Sequence, residues 1–531
     1  MSDAQRDAQR DAHRDWKPRA NPWLIAGVVT VGTFMEVLDT TIVNVSLPHI
    51  AGSLSITSDE ATWVLTTYLV ANGIVLTISG ALSRRLGRKN YFLICIAAFT
   101  LASAACGLAQ EFWQILLFRA VQGLFGGGLQ PTQQAIILDT FPPEKRQQAF
   151  SLTAIAIIIA PVVGPVVGGY LTDTYSWHWI FLINIPIGVA TFFGVLQFVE
   201  DSPTIERAKR TAPRFDYFGV AFIALALGCL EVGVDRGEDY DWLGSTFIRV
   251  MFGLSAFGFI FGITYLLYIR DPIVNLRVFK DRNFALGSLQ IGMMGFVLYA
   301  SAVLIPQFAQ QQLAYNATWA GLVLAPGAIV LVMLIPIVGK ILNVVPAKYV
   351  IACGGLALGG ALIYSMNLVP DLDFMHLIVY RASQTAALAL LFVPISTIAY
   401  ATVPPRLNGD AAALFSMARN VFGGIGISVS TALVTDHLQI RQTFLIGNLT
   451  PTNQPYDVLL QQVQQALVDA GQSMAQAVQS APGQVLLMLN EQVAVLAYND
   501  VFMITACMSF LMIPTALLMS GIKAKARGGA H

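Results

Sequence analysis

Apolar runs of roughly 20 residues, long enough to cross a bilayer as a helix, recur about 14 times in this chain. They lie near 22–47, 60–82, 91–109, 113–137, 149–171, 178–199, 216–234, 245–268, 284–310, 318–340, 349–368, 374–400, 411–436 and 498–521. Lipid offers backbone amides no partner, so such runs must satisfy their own hydrogen bonds as helices. The expected fold is an all-α polytopic membrane protein with 14 transmembrane helices. Composition agrees: hydrophobic residues make up 55% of the chain, charged residues 12%, and the mean hydropathy is +0.63. A soluble chain of this length needs no such apolar surface. Cys95, Cys106, Cys229, Cys353 and Cys507 all fall in apolar stretches, without CxxC or Cys/His spacing. They read as small core residues, and neither a disulfide nor a metal site is expected.

The net charge of zero says nothing about partners, but its distribution does. Of 31 Lys and Arg residues, 25 lie at the termini or in even-to-odd connections, including Arg84 to Lys89, Arg207 to Arg214, Arg277 to Arg282 and Lys523 to Arg527. Odd-to-even connections hold only Arg236, Arg249 and Arg441. The positive-inside rule then puts both termini in the cytoplasm. The first 20 residues repeat Asp-Ala-Gln-Arg without an apolar core, so they form a solvated tail and not a signal peptide.

Charges inside the spans are the functional signal. Glu36 and Asp39 sit within the first span, three residues apart on one helix face that Thr40 and Asn44 extend. A carboxylate at mid-membrane costs about 2.5–3.5 kcal/mol on insertion scales, which points to proton or cation handling. Arg119 in the fourth span, buried alone, would be prohibitive and needs an acid, carbonyls or water; Glu36 or Asp39 can answer it. Arg119-Ala-Val-Gln122 and Arg381-Ala-Ser-Gln384 both read Arg-x-x-Gln, with Pro131 and Pro394 following 12 or 13 residues later. Their places in spans 4 and 12 imply two related six-helix halves, as in transporters that rock about a midplane site. Arg381 and Arg419 read as structural, because the later spans offer no equally placed acid. Glu231, near the outer end of the seventh span, reads as interfacial. The expected segments are a cytoplasmic tail (1–21), a first half (22–199), a linker with two inserted helices (200–283), a second half (284–522) and a second tail (523–531).

These residues resemble the major facilitator superfamily, and within it the 14-helix drug:proton antiporters of the EmrB/QacA type. The resemblance covers nearly the whole chain after the tail. Leu38-Asp39-Thr40-Thr41-Ile42-Val43-Asn44-Val45, then Pro48, looks like the first-helix motif of EmrB-type proteins, and Trp63-Val64-Leu65-Thr66-Thr67-Tyr68 the start of their second helix. Gly80 to Lys89, with Arg84, Arg85, Gly87 and Arg88, is similar to the superfamily's loop between helices 2 and 3. Arg84 stands where that loop usually has an aspartate. Arg119, Gln122 and Gly123 match the fourth-helix motif associated with proton transfer. Ala160-Pro161-Val162-Val163-Gly164-Pro165-Val166-Val167-Gly168-Gly169 matches the fifth-helix antiporter motif, and Trp177 to Gly188 opens the sixth helix as in EmrB-like proteins.

The resemblance implies a multidrug efflux antiporter of the inner membrane, associated with antibiotic resistance and driven by the proton gradient without a cofactor. Asp39 would carry the proton, with Glu36 as auxiliary and Arg119 tuning both. Thr40, Asn44, Gln122 and Gln384 are candidates to line a largely apolar drug cavity. Ala160, Gly164 and Gly168 form a small-residue stripe that admits a close neighbour, while Pro161 and Pro165 bend the helix; together they would gate one side.

The connection at 437–497 is too long for a passive turn and holds 12 glutamines but one Lys/Arg. Tyr456, Leu459, Leu460, Val463, Leu467 and Ala470 fall at helical spacing, which suggests an amphipathic hairpin. It either packs back on the transporter or docks a periplasmic membrane-fusion adaptor (EmrA-like) leading to an outer-membrane channel (TolC-like), as the resemblance implies. An uptake symporter is the runner-up, and drugs, siderophores and fatty acids all remain open as cargo. An enzyme is disfavoured: no Ser/His/Asp constellation, HExxH or phosphate loop occurs, and nothing suggests nucleic-acid binding.

Overall fold

The computed structural model describes residues 18–203, 205–206, 215–404, 407–450 and 452–520. Most of the first tail, the basic run Arg207 to Arg214 and the second tail lie outside them. Among the described residues there is no sheet, and 13 helices are long and apolar enough to cross a membrane. The fold is all-α and polytopic.

The first helices are α1 (Pro22–Leu54), α2 (Ser58–Leu86) and α3 (Arg88–Cys106). Asn21 caps α1 by accepting from Trp23 N at 2.9 Å, ahead of a proline that needs no partner. Thr57 and Glu60 form a reciprocal capping box on α2. Gly87, at φ +86°, turns α2 into α3, and the Asp201 carboxylate caps that turn by accepting from Lys89 N at 2.9 Å.

The fourth run departs from expectation. It forms two helices, α4 (Phe112–Gly126) and α5 (Leu129–Thr140), interrupted at Gly127-Gly128. Glycine weakens a helix by about 1 kcal/mol relative to alanine, and both positions are crowded. A Cβ on Gly127 would strike the Asn72 carbonyl; one on Gly128 would lie 2.5 Å from the Tyr91 hydroxyl and the Cys95 sulfur.

Next come α6 (Pro143–Thr174), α7 (Trp179–Leu182), α8 (Asn184–Phe198), α9 (Tyr217–Asp235) and α10 (Thr246–Tyr268). Then follow α11 (Arg282–Gln311), α12 (Ala317–Leu322), α13 (Ala325–Ile341), α14 (Ala347–Tyr364) and α15 (Phe374–Tyr400). The chain closes with α16 (Asn408–Ile446), α17 (Gln454–Asp469) and α18 (Met474–Leu517). Helix α1 packs on α6, α2 on α4 and α3 on α8; later in the chain α11 packs on α16, α13 on α15 and α14 on α18. The two sets meet where α2 and α5 touch α16 and where α6 touches α12 and α13.

The small-residue stripe of α6 faces α1. Thr41 Oγ1 donates to Ala160 O at 3.4 Å, and a Cβ on Gly168 would lie 2.7 Å from Ile42 Cγ1. The contact of α6 with the later helices comes from its proline side instead: a Cβ on Gly321 in α12 would sit 3.2 Å from Pro165 Cβ and 3.0 Å from Val166 Cγ2. Helices α9 and α10 pair closely through Ser255 Oγ, which donates to Ala226 O at 2.8 Å, and through Gly258 against the Ala226 backbone. Of the two, α9 makes the larger contact with the bundle, lying along α2 and α16. There Arg236 lies 4.4 Å over the Trp63 ring and pairs with Asp239 at 2.9 Å.

The run at 437–497 is almost wholly helical. Helix α16 continues to Ile446, α17 packs on α18, and α18 runs unbroken for 44 residues into the last span. Val463, Ala481 and Val485 form a small core with Leu449, Tyr456, Leu460 and Leu467. Leu459 and Ala470 remain exposed.

Candidate functional site

Asp39 stands at the centre of a buried polar network. Asp39 lies mid-way along α1, Arg119 and Gln122 on α4, and Asn184 at the start of α8, all buried at 0% exposure. Arg119 Nη1 donates to Asp39 Oδ2 at 2.6 Å and to Gln122 Oε1 at 2.8 Å, while its Nε donates to Val64 O at 3.1 Å. Asp39 Oδ1 accepts from Gln122 Nε2 at 2.9 Å and from Asn184 Nδ2 at 2.7 Å. The Tyr68 ring lies 4.2 Å beneath the guanidinium. Charge-assisted bonds of this kind are about twice as strong as neutral ones. Removing one partner of a buried pair costs about 3–5 kcal/mol because it strands the other charge.

Glu36, one turn earlier and also buried, occupies a different environment. Its Oε1 accepts from Asn72 Nδ2 at 3.0 Å, and Asn72 also donates to the Tyr68 hydroxyl at 3.3 Å. Its Oε2 has no hydrogen-bond partner. Tyr68 and Asn72 thus link the two carboxylates. Asn72 stands outside every motif read from the sequence, and Asn184 figures there only within the Trp177 to Gly188 stretch; an asparagine within an apolar run was the available signal.

The four residues assigned to a cargo cavity divide. Gln122 and Gln384 are fully buried and committed, Gln384 through Nε2 to Ser365 Oγ at 2.9 Å. Thr40 is half-buried and donates to Val37 O at 2.7 Å, and Asn44 is exposed. Arg381 repeats the local geometry of Arg119 without an acid: its Nη1 donates to Ser301 Oγ at 2.8 Å and to Gln384 Oε1 at 3.5 Å. Arg419 has no ion pair within 4 Å among the described residues, and its Nη1 has no hydrogen-bond partner. Glu231 faces Gly424 of α16, where an added Cβ would lie 3.1 Å from its Oε1.

At the basic end, Arg84 pairs with Asp410 in the first turn of α16 at 2.5 Å. The arginine at 84 thus ties the α2 end to the start of α16. Arg88 pairs with Asp139 of α5 at 2.5 Å, and Arg85 lies 5.8 Å over the Phe215 ring. Gly80 meets α16 so closely that a Cβ there would fall 2.7 Å from Gly409 O. Gln147 Nε2 to Gly339 O, at 2.8 Å, and Tyr400 hydroxyl to Gln134 Oε1, at 2.9 Å, add further ties between the two sets. Ala160, Pro161, Gly164, Gly168 and Gly169 are buried, and Pro165 is half-buried.

The Major Facilitator Superfamily model matches residues 29–427. The chain is 33% identical over 479 residues to the multidrug export protein EmrB of Escherichia coli (strain K12), covering 90% of this chain and 91% of that one. It is 31% identical over 490 residues to the fatty acid resistance protein FarB of Neisseria gonorrhoeae, covering 92% and 94%. Among solved structures, the human organic anion transporter MFSD10 (TETRAN) aligns with a TM-score of 0.56 at 13% identity, over 92% of this chain and all of that one. A bacterial homologue of the human lysosomal transporter Spinster, inward-facing and unoccupied, aligns at 0.51 with 18% identity, over 93% and 98%. At those identities the likeness speaks for the fold alone. With the family model spanning most of its length and an EmrB homologue aligned nearly end to end, the chain belongs to the major facilitator superfamily, as an EmrB-related, multi-pass membrane transporter and not an enzyme.

Proposed function

We propose that this protein is a proton-coupled multidrug efflux antiporter of the inner membrane, exporting amphipathic or hydrophobic compounds by alternating access. The observation that carries this is the buried Asp39–Arg119 pair with Gln122 and Asn184 closed around it. As a carboxylate, Asp39 neutralises Arg119; as an acid, it frees Arg119 and the two amides to rearrange. A two-state element of that kind is what exchange of a proton for cargo requires. The reading includes 14 spans in two six-helix halves plus the α9–α10 pair, with the Arg84 face in the cytoplasm. The α17–α18 hairpin is then periplasmic, available to an EmrA-like adaptor and a TolC-like channel. The multidrug export named for the E. coli relative and the fatty acid resistance named for the N. gonorrhoeae relative support export; the latter also supports a narrower alternative, a fatty acid as cargo.

The test is Asp39→Asn in everted vesicles with a panel of lipophilic cations, weak acids and fatty acids. The variant is expected to insert normally and to lose cargo-dependent proton release. Wild-type release from Asp39→Asn at an imposed pH gradient refutes the assignment.

A further inference from the structure

Among the described residues every hydrogen-bond partner of Asp39 is a donor: Arg119 Nη1 at Oδ2, and Gln122 Nε2 and Asn184 Nδ2 at Oδ1. That set suits a carboxylate. A protonated Asp39 has an O–H of its own, and none of these groups accepts from it as they stand. The two amides differ in what they have free. Gln122 Oε1 is held by Arg119 Nη1 at 2.8 Å, so turning that amide over would set its NH2 against the guanidinium. Asn184 Oδ1 is buried and has no hydrogen-bond partner among the described residues, while Asn184 Nδ2 serves both Asp39 Oδ1 at 2.7 Å and Ser103 Oγ at 2.9 Å. Ser103, on α3, donates in turn to Phe181 O of α7 at 2.9 Å.

We infer that Asn184 reads the protonation state of Asp39 by turning its amide over: Nδ2 donates to the carboxylate, and Oδ1 accepts from the acid. The inference deepens the antiporter reading and rests on it. Such a turn about the Cβ–Cγ bond exchanges a donor for an acceptor with almost no change of shape, which suits a site packed this tightly. Asn184 and Ser103 are at 0% exposure, and a Cβ on Gly188, one turn along α8, would strike the Thr100 hydroxyl of α3. After the turn Oδ1 faces Ser103 as well. The Ser103 hydroxyl can donate or accept, so it swings its proton from Phe181 O to Asn184 Oδ1. The proton on Asp39 is thereby felt at the junction of α7 and α8 before any helix moves. The titratable groups around Asp39 are Glu36 on its own helix, Tyr68 on α2, Cys106 on α3 and Arg119 on α4. Helix α5 has only Asp139, which pairs with Arg88; α6 has none between Arg146 and Tyr170, and α7 and α8 have none. None of these groups bonds Asn184. Asn184 acts through Asp39, as a positioning residue.

The test is infrared difference spectroscopy, acid minus alkaline pH, on the full chain in lipid, with and without an isotope label in the asparagine side-chain carbonyl carbon. Wild type is expected to show a protonated-carboxyl band that Asp39→Asn abolishes. Beside it should stand an asparagine side-chain carbonyl band, identified by its shift on labelling. That second band should be lost in Asp39→Asn and in Asn184→Ser, and kept in Glu36→Gln, which changes the partner of Asn72 instead. A merely structural asparagine gives no band that follows the titration of Asp39. An Asp39 carboxyl band without a labelled asparagine band overturns the inference and leaves the Asp39 assignment standing. So does a labelled band that survives Asn184→Ser or vanishes in Glu36→Gln. A wild type with no carboxyl band that Asp39→Asn removes refutes the antiporter reading itself. If Asn184→Ser fails to insert, the Asp39→Asn and Glu36→Gln spectra decide, because Asn184 is the asparagine bonded to Asp39 and Asn72 the one bonded to Glu36.

Discussion

Cutting the Arg84–Asp410 ion pair with Arg84→Ala is the most direct way to loosen the basic face. Asp410 is buried at 3% side-chain exposure, Arg84 at 26%, and they meet at 2.5 Å beside the Gly80–Gly409 backbone approach. Removing the partner of a fully buried charge costs about 3–5 kcal/mol. Solvent reaches Arg84, so the expected loss is smaller, about 1–3 kcal/mol, or about 5- to 150-fold in the open-to-closed ratio. Ser83 lies buried beneath this contact and donates to Gly80 O at 3.1 Å, so Ser83→Cys is a near-isosteric reporter. With the exposed Cys353 and Cys507 replaced by serine, its maleimide labelling from the Arg84 face should accelerate by that factor in Arg84→Ala. The double exchange Arg84→Asp with Asp410→Arg should restore slow labelling. Unchanged labelling in a normally inserted Arg84→Ala protein, or a double exchange no slower than the single variant, refutes the idea that this ion pair holds the face shut.

Two further perturbations follow from packing. Gly164→Leu places a side chain against Thr41 and the Ile42 backbone, whereas Gly73 has nothing within 4 Å of an added Cβ. Overpacking costs about 1–3 kcal/mol, so Gly164→Leu should lose or uncouple efflux while Gly73→Leu does less, as checked by cargo efflux with and without a proton gradient. Arg441 binds Asp500 at both carboxylate oxygens, at 2.9 and 2.8 Å, and His437 adds a third contact at 2.9 Å. Asp500→Ala should leave transport of an inserted protein intact but increase hydrogen exchange in the last turns of α16 and the first half of α18.

Much of this fold was legible because lipid imposes one length and one polarity on each span. The runs containing Asp39 and Arg119 stood out for the same reason, a charge where hydration is absent. The break at Gly127-Gly128 did not, because hydropathy tolerates glycine while the crowding that selects it comes from Asn72, Tyr91 and Cys95 on other helices. Partners far apart in sequence were equally hidden. Nothing near Arg84 names Asp410. The Ala160-Gly164-Gly168 stripe reads as a close-packing surface, but only three dimensions show that it meets α1. The unbroken course of α18 escaped notice because its first turns are glutamine-rich, and a helix outside the membrane leaves no hydropathy signal. Its start, however, was written in the Ser473–Gln476 capping box.

The continuity of α18 makes it a lever. At 1.5 Å per residue its 44 residues extend about 66 Å, more than twice the hydrocarbon thickness of a bilayer. In the proposed topology about half of that length stands clear of the span, with α17 packed on it and Asp500 held by Arg441 and His437. A tilt of about 10° at the membrane would swing its far end by about 6 Å over an arm of about 33 Å. In that topology small rearrangements inside the bundle are magnified into a displacement at the start of α18, and a stroke of that size can be followed by a probe placed there without touching the transport path.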